Sequence, residues 1–123
     1  MPRKIFIVDD ADFVVDTLRL ILESAGHKVV GTAASGADAL DLIKRLPAVS
    51  VPDVVTVDFH MPKMDGLETI RKIRMVVPNV RVLLVSSHAT FPIAMKAKEM
   101  ALDGFIVKPF EPSTVLQAID KLS

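Results

Sequence analysis

The chain contains no cysteine, which excludes disulfide staples and thiolate metal sites and points to a cytoplasmic setting. It lacks any apolar stretch near the roughly 18 residues that a membrane-spanning helix needs, although 50% of its residues are apolar and its mean hydropathy is +0.42. No membrane insertion is expected. Basic runs never exceed two residues, and fifteen Lys and Arg offset fifteen Asp and Glu. The electrostatic footprint of nucleic-acid binding is therefore missing, and no direct contact with nucleic acid is expected. A secretory signal is missing too: Met1-Pro2-Arg3-Lys4 is basic, but the apolar run behind it is four residues long and stops at two aspartates. Nor is there an internal repeat, a low-complexity tract or an interdomain linker. At 123 residues the chain reads as one domain spanning 1–123, too small for two domains with a cleft between them, so any site must sit on its rim. A chain that starts at Met1 and ends with a helix fits either a whole protein or a piece of a larger one.

What is present is a fivefold alternation of short apolar runs with longer amphipathic segments, the pattern of a parallel sheet covered by helices on both faces. Strands are predicted near 4–8, 28–33, 53–57, 80–85 and 104–107, and helices near 12–25, 36–46, 66–76, 92–102 and 112–122. Val14, Leu18, Ile21 and Ala25 recur at helical spacing, and Gly26 follows as a left-handed stop. Asp12 is read as the cap of this first helix. Ser35 with Asp38, and Asp65 with Glu68, have the spacing of capping boxes. Pro92 and Pro112 suit first helical positions, and Val115, Ile119 and Leu122 supply the buried stripe of the last helix.

Four of the apolar runs end on groups able to do phosphate chemistry. Ile5-Phe6-Ile7-Val8 leads to Asp9-Asp10, Val54-Val55-Thr56-Val57 to Asp58, Val82-Leu83-Leu84-Val85 to Ser86-Ser87, and Phe105-Ile106-Val107 to Lys108-Pro109. In parallel strands all of these reach one carboxyl edge, where open α/β sheets place their ligands. The doubly wound, flavodoxin-like order 2-1-3-4-5 makes the first and third strands neighbours, so Asp9, Asp10 and Asp58 share the rim. Three like charges that close repel unless a cation neutralises them, and carboxylates with a backbone carbonyl and waters suit Mg²⁺. Asp58 stands alone at its strand end and is best placed as nucleophile for in-line phosphoryl transfer, with Asp9 and Asp10 as the metal-holding pair. Lys108 is expected to pair with the carboxylate before transfer and with a phosphoryl oxygen after it, and the Ser86 hydroxyl to bond another oxygen. For any single aspartate, turn former or cap remains the plainer reading; the agreement of several strand ends is what carries the site.

These segments, together with Val57-Asp58-Phe59-His60-Met61-Pro62-Lys63-Met64-Asp65-Gly66 and Gly104-Phe105-Ile106-Val107-Lys108-Pro109-Phe110, resemble the receiver domain of two-component response regulators over nearly the whole chain, and most closely the single-domain chemotaxis regulators of the CheY type. The resemblance implies that Asp58 accepts phosphate from a phosphohistidine on a sensor histidine kinase. It implies Mg²⁺ held by Asp9, Asp10, Asp58 and the backbone carbonyl of His60, and a switch pair of Ser86 and Phe105. It also implies a cis Lys108–Pro109 bond and a partner surface on helix 4, strand 5 and helix 5, where Met95, Lys96, Lys98 and Met100 lie. Phe91, just ahead of helix 4, is a candidate exposed anchor for such a partner.

Phe105 stands where many chemotaxis members carry tyrosine; a ring without a hydroxyl buries with no partner to satisfy. His60 and His88 each follow a key residue by two positions, bordering the water route to an acyl phosphate, and are candidate tuners of its lifetime. Met61, Pro62 and Gly66 are read as shaping the turn after the nucleophile. Two other functions compete with this reading. Asp10 and Asp12 have the spacing of the first motif of haloacid-dehalogenase-type phosphatases, but that reading leaves Asp58 without a role. A phosphorylation-independent binding module on the same fold usually lacks one of the acid, hydroxyl or lysine groups, all of which are present here.

Overall fold

In a computed structural model that describes residues 2–61, 64–87 and 90–122, and the backbone but not the side chain of Phe91, the five apolar runs form one parallel sheet. Its strands are β1 (Lys4–Val8), β2 (Lys28–Ala33), β3 (Val54–Asp58), β4 (Arg81–Ser86) and β5 (Gly104–Val107), ordered β2-β1-β3-β4-β5. The connecting helices are α1 (Asp12–Ser24), α2 (Gly36–Arg45), α3 (Gly66–Val76), α4 (Phe91–Glu99) and α5 (Pro112–Asp120). A short 3₁₀ turn at Ala48–Ser50 was not expected from the sequence.

Period-2 alternation divides each central strand between two cores. Phe6, Val8, Val55, Val57, Val82 and Leu84 face Ala39 and Ile43 of α2, Leu67, Ile70 and Ile73 of α3, and Ile93 of α4. Ile5, Ile7, Val54, Leu83, Val85 and Ile106 face Leu18, Ile21 and Leu22 of α1 and Val115 and Ile119 of α5. Burial on both faces is why these strands read as nearly continuous apolar runs rather than as alternating ones.

The helix ends follow the chemistry expected of them in most places. Ser35 accepts from the Asp38 N–H at 3.2 Å and Asp65 from the Glu68 N–H at 2.8 Å, which is the first half of each capping box. Gly26 adopts φ +91°, its N–H bonding the Glu23 carbonyl and that of His27 the Leu22 carbonyl, a left-handed stop to α1.

Asp12 is the exception. The cap position belongs to Ala11, with no side-chain cap, and Asp12 is already the first helical residue. The reason is local: Asp9 uses its own side chain to accept the Ala11 N–H at 2.9 Å, so the turn is closed one residue early. An acid in the first turn still favours the helix dipole. Helix α4 also ends at Glu99 rather than near 102, because Ala101 adopts φ +54° and the chain leaves the helix there.

Candidate functional site

Strands β1 and β3 run side by side, with Ile7 beside Thr56 and Val8 beside Val57, so the residues that leave them at the carboxyl edge are neighbours. Asp9 and Asp58 continue the parity of Ile5, Ile7 and Val54, which places both on the side of the sheet that α1 and α5 cover. Between them comes Lys108 from the end of β5. Its Nζ lies 2.9 Å from Asp9 Oδ2 and 3.4 Å from Asp58 Oδ1. The main chain holds the lysine through its N–H, which donates to the Ser86 carbonyl at 2.8 Å; the following bond to Pro109 is cis. Carboxylate oxygens of Asp9, Asp10 and Asp58 lie within 4.8 Å of one another. Asp9 and Asp58 are buried while Asp10 is exposed, so the cluster reaches solvent at Asp10.

The rim behind Asp58 is held by the backbone. The Phe59 N–H donates to the Val85 carbonyl at 3.0 Å, and the His60 N–H reaches back to Asp58 Oδ1 at 3.4 Å. Gly66 opens α3 directly against this turn: a Cβ there would sit 2.3 Å from the Asp58 carbonyl oxygen, so a side chain at 66 would displace the backbone that carries the acid. Glycine was expected at this turn; its reason is close approach rather than a left-handed conformation.

One cation does not balance three acids. Burial, and then the Asp9 charge beside it, lift the Asp58 carboxyl above the ordinary carboxylate range; Lys108 and the His60 N–H pull it down without cancelling the rise. Burial alone would lower the Lys108 ammonium, but Asp9 and Asp58 more than offset this and hold it above its ordinary value. The residues fit a hard divalent ion. Their donors are all oxygen, and the cluster carries more negative charge than the single Lys108 ammonium balances.

The other sequence candidates take varied places. Ser86 ends β4 fully buried, at 0% exposure, beside the Asp58 strand. The Phe105 ring is partly buried against the core that α3 and α4 cover. His60 is exposed, its ring edge-on to Phe59 with centroids 4.7 Å apart. Met61 joins the core at 8% exposure. Pro62 and His88 lie outside the described residues, as does the Phe91 side chain. Met95 of α4 and Val107 of β5 are exposed, as are Lys96 and Lys98, while Met100 is partly buried. Asp12 is not part of the acid cluster. Sequence reasoning gave Lys108 to Asp58 and missed that Asp9 is its nearer partner, which the order of strands alone could not rank.

A doubly wound parallel sheet of this order, carrying acids, a hydroxyl and a lysine on its carboxyl edge, defines the CheY-like receiver class. The chain belongs to the response regulator receiver domain family, whose family model matches residues 5–120. It is 37% identical over 100% of its length to 99% of the chemotaxis protein CheY of Thermotoga maritima, and 36% identical over 98% of its length to 98% of the Bacillus subtilis CheY. Among solved structures, Vibrio cholerae CheY4 superposes with a TM-score of 0.88 at 27% identity, covering 100% of both chains. The CheY of Borrelia burgdorferi, solved in a CheX-CheY-BeF3-Mg²⁺ complex, gives 0.85 at 34% identity over 94% of this chain and 84% of that one. The protein is thus a phosphorylation-dependent signalling switch, not an enzyme with a separate substrate. Nothing in these likenesses supports a haloacid-dehalogenase-type phosphatase.

Proposed function

We propose that Asp58 is the phosphoacceptor, loaded from a phosphohistidine of a sensor histidine kinase, and that the resulting acyl phosphate changes the affinity of the α4, β5 and α5 face for a downstream partner. The observation that carries this reading is the cluster of buried Asp9 and Asp58 around the partly buried Lys108 at the edge of the sheet. An Asp58 carboxylate oxygen forms the bond to phosphorus as the bond from phosphorus to the imidazole nitrogen breaks, and the imidazole leaves with the electron pair. Asp9, Asp10, Asp58 and the His60 carbonyl are the proposed holders of Mg²⁺, which when bound neutralises charge on the transferred oxygens. Lys108 is positioned by Asp9, so it stays in the site when Asp58 becomes the acyl phosphate and turns to a phosphoryl oxygen. Ser86 supplies a hydroxyl to another. Ser86 is fully buried at the end of β4; on loading, its loop carries the hydroxyl to the phosphoryl group and Phe105 swings into the space vacated.

The exposed His60 ring borders the route of water to the acyl phosphate and tunes its lifetime. His60→Ala should change the dephosphorylation rate between pH 6 and 8; an unchanged rate refutes that role. We also propose a cytoplasmic setting and a place in chemotaxis, the latter in keeping with the chemotaxis relatives named above. The test of the main reading is transfer from a radiolabelled phosphohistidine kinase. Label should move to the chain stoichiometrically, be released by alkali and fail to reach Asp58→Asn. Label retained by that variant, or steady turnover of a generic phosphomonoester, would overturn it.

A further inference from the structure

Helix α4 is held very differently at its two ends. At its start, Thr90 occupies the cap position without a side-chain cap, Pro92 is exposed, and Ile93 is the single buried side chain among those described in the helix. At its end, Ala101 takes a left-handed φ of +54°, a conformation an L-residue with a Cβ adopts only when its surroundings impose it. The turn is closed by two bonds: the Ala101 N–H bonds the Lys98 carbonyl and the Leu102 N–H the Ala97 carbonyl, both at 3.0 Å. Met100 and Leu102 also pack against the core.

Two further carbonyls at this end are bonded from another helix. Arg74, in the last turn of α3, donates Nη1 to the Met100 carbonyl at 2.5 Å and Nη2 to the Ala101 carbonyl at 3.1 Å. A planar, permanently charged fork across two adjacent carbonyls fixes direction as well as distance, and it meets the negative end of the α4 dipole. The helix that carries Arg74 is itself seated on the acid: Gly66 at its start lies against the Asp58 backbone and donates its N–H to the Phe59 carbonyl at 3.0 Å.

We propose that Arg74 pins the carboxyl end of α4 as a fixed pivot, so that a change at the Ser86 loop swings the amino end of the helix while residues 98–102 stay in place. Arg74 is a positioning residue: it touches no reacting atom, and it keeps the partner face and the phosphorylation edge on one rigid frame through α3. This rests on the phosphoacceptor reading above only for what triggers the swing.

Residue-resolved amide hydrogen exchange on the whole chain tests it, with and without beryllofluoride and Mg²⁺. In the wild type, loading should alter exchange at 93–96 and leave 100–102 unchanged. In Arg74→Met, the 100–102 amides should exchange at least about tenfold faster in the unloaded protein, and the effect of loading should spread along the whole helix. Arg74→Lys, which keeps the charge but loses the fork, should fall between and covers the case in which Arg74→Met does not fold. Equal loading responses at both ends of the wild-type helix, or unaltered 100–102 exchange in the variants, would overturn the pivot. A protein that takes up no beryllofluoride fails the phosphoacceptor reading instead, and the unloaded comparison still decides for or against the pin.

Discussion

Asp58 is held in the fold at a cost, and removing its charge should make the protein more stable. Its carboxylate gains from Lys108 at 3.4 Å, which at an effective dielectric of 20 amounts to about 4.9 kcal/mol. It loses to Asp9, whose oxygen lies within 4.8 Å, by at least about 3.5 kcal/mol on the same basis. Those two terms leave little over, whereas taking a carboxylate out of water costs several kcal/mol. Asp58→Asn keeps the shape, abolishes both the repulsion and the charge desolvation, and leaves Lys108 paired with Asp9 at 2.9 Å. The expected gain at neutral pH without Mg²⁺ is about 2 kcal/mol, which shifts a urea midpoint upward by about 1 M.

The pH dependence fixes the cause. The folded-state Asp58 carboxyl titrates above its ordinary value, so between the unfolded and folded values the native state binds the extra proton and wild-type stability falls as pH rises. The Asn variant therefore holds its full advantage above the folded value and loses it as pH drops below. Added Mg²⁺ should narrow the gap by stabilising the wild type. The chain has neither Trp nor Tyr, so unfolding is followed by far-ultraviolet circular dichroism. An Asp58→Asn protein less stable than wild type at pH 7, or an advantage that persists unchanged in acid, would refute the electrostatic reasoning.

Three further substitutions probe the frame. Thr56, buried at 1% exposure between Ile7 and Leu83, has an Oγ1 without a hydrogen-bond partner among the described residues; Thr56→Val should stabilise by about 1 kcal/mol in urea unfolding. Ala101→Gly relieves a left-handed alanine and should raise stability by about 0.5–1 kcal/mol in the same assay, with a loss arguing against that conformation. His27 accepts the Arg3 N–H on Nδ1 at 3.0 Å, and burial above all lowers its pKa despite Asp120. The unfolded chain thus binds more protons just below pH 6.5, so stability contributed here is full above 6.5 and declines as pH falls through that region. Urea midpoints from pH 5 to 7.5 should flatten in His27→Gln; an unchanged slope would remove His27 as the cause.

Much of the fold was legible because parallel strands buried on both faces leave a strong mark: runs such as Val82–Val85 have no polar face to blur the period. The strand-end chemistry was legible for the same reason, since Asp9, Asp58, Ser86 and Lys108 are polar residues that end apolar runs. What stayed hidden depends on tertiary contacts. Asp12 lost the cap position because Asp9, three residues earlier, closes the turn. The early end of α4 follows from an alanine in a glycine-like conformation, held by an arginine 26 or 27 residues away, and no local pattern announces it. Likewise the ranking of the two acids around Lys108 depends on side-chain distances that spacing in the sequence does not encode.

The central claim is that Asp58 takes up phosphorus within an acid cluster that needs magnesium. Intact mass spectrometry after incubation with acetyl phosphate should show one phosphoryl adduct with Mg²⁺, none with the chelator EDTA and none in Asp58→Asn. An adduct that forms without the metal or persists in the variant, or a wild-type chain that gains no mass, would contradict the account.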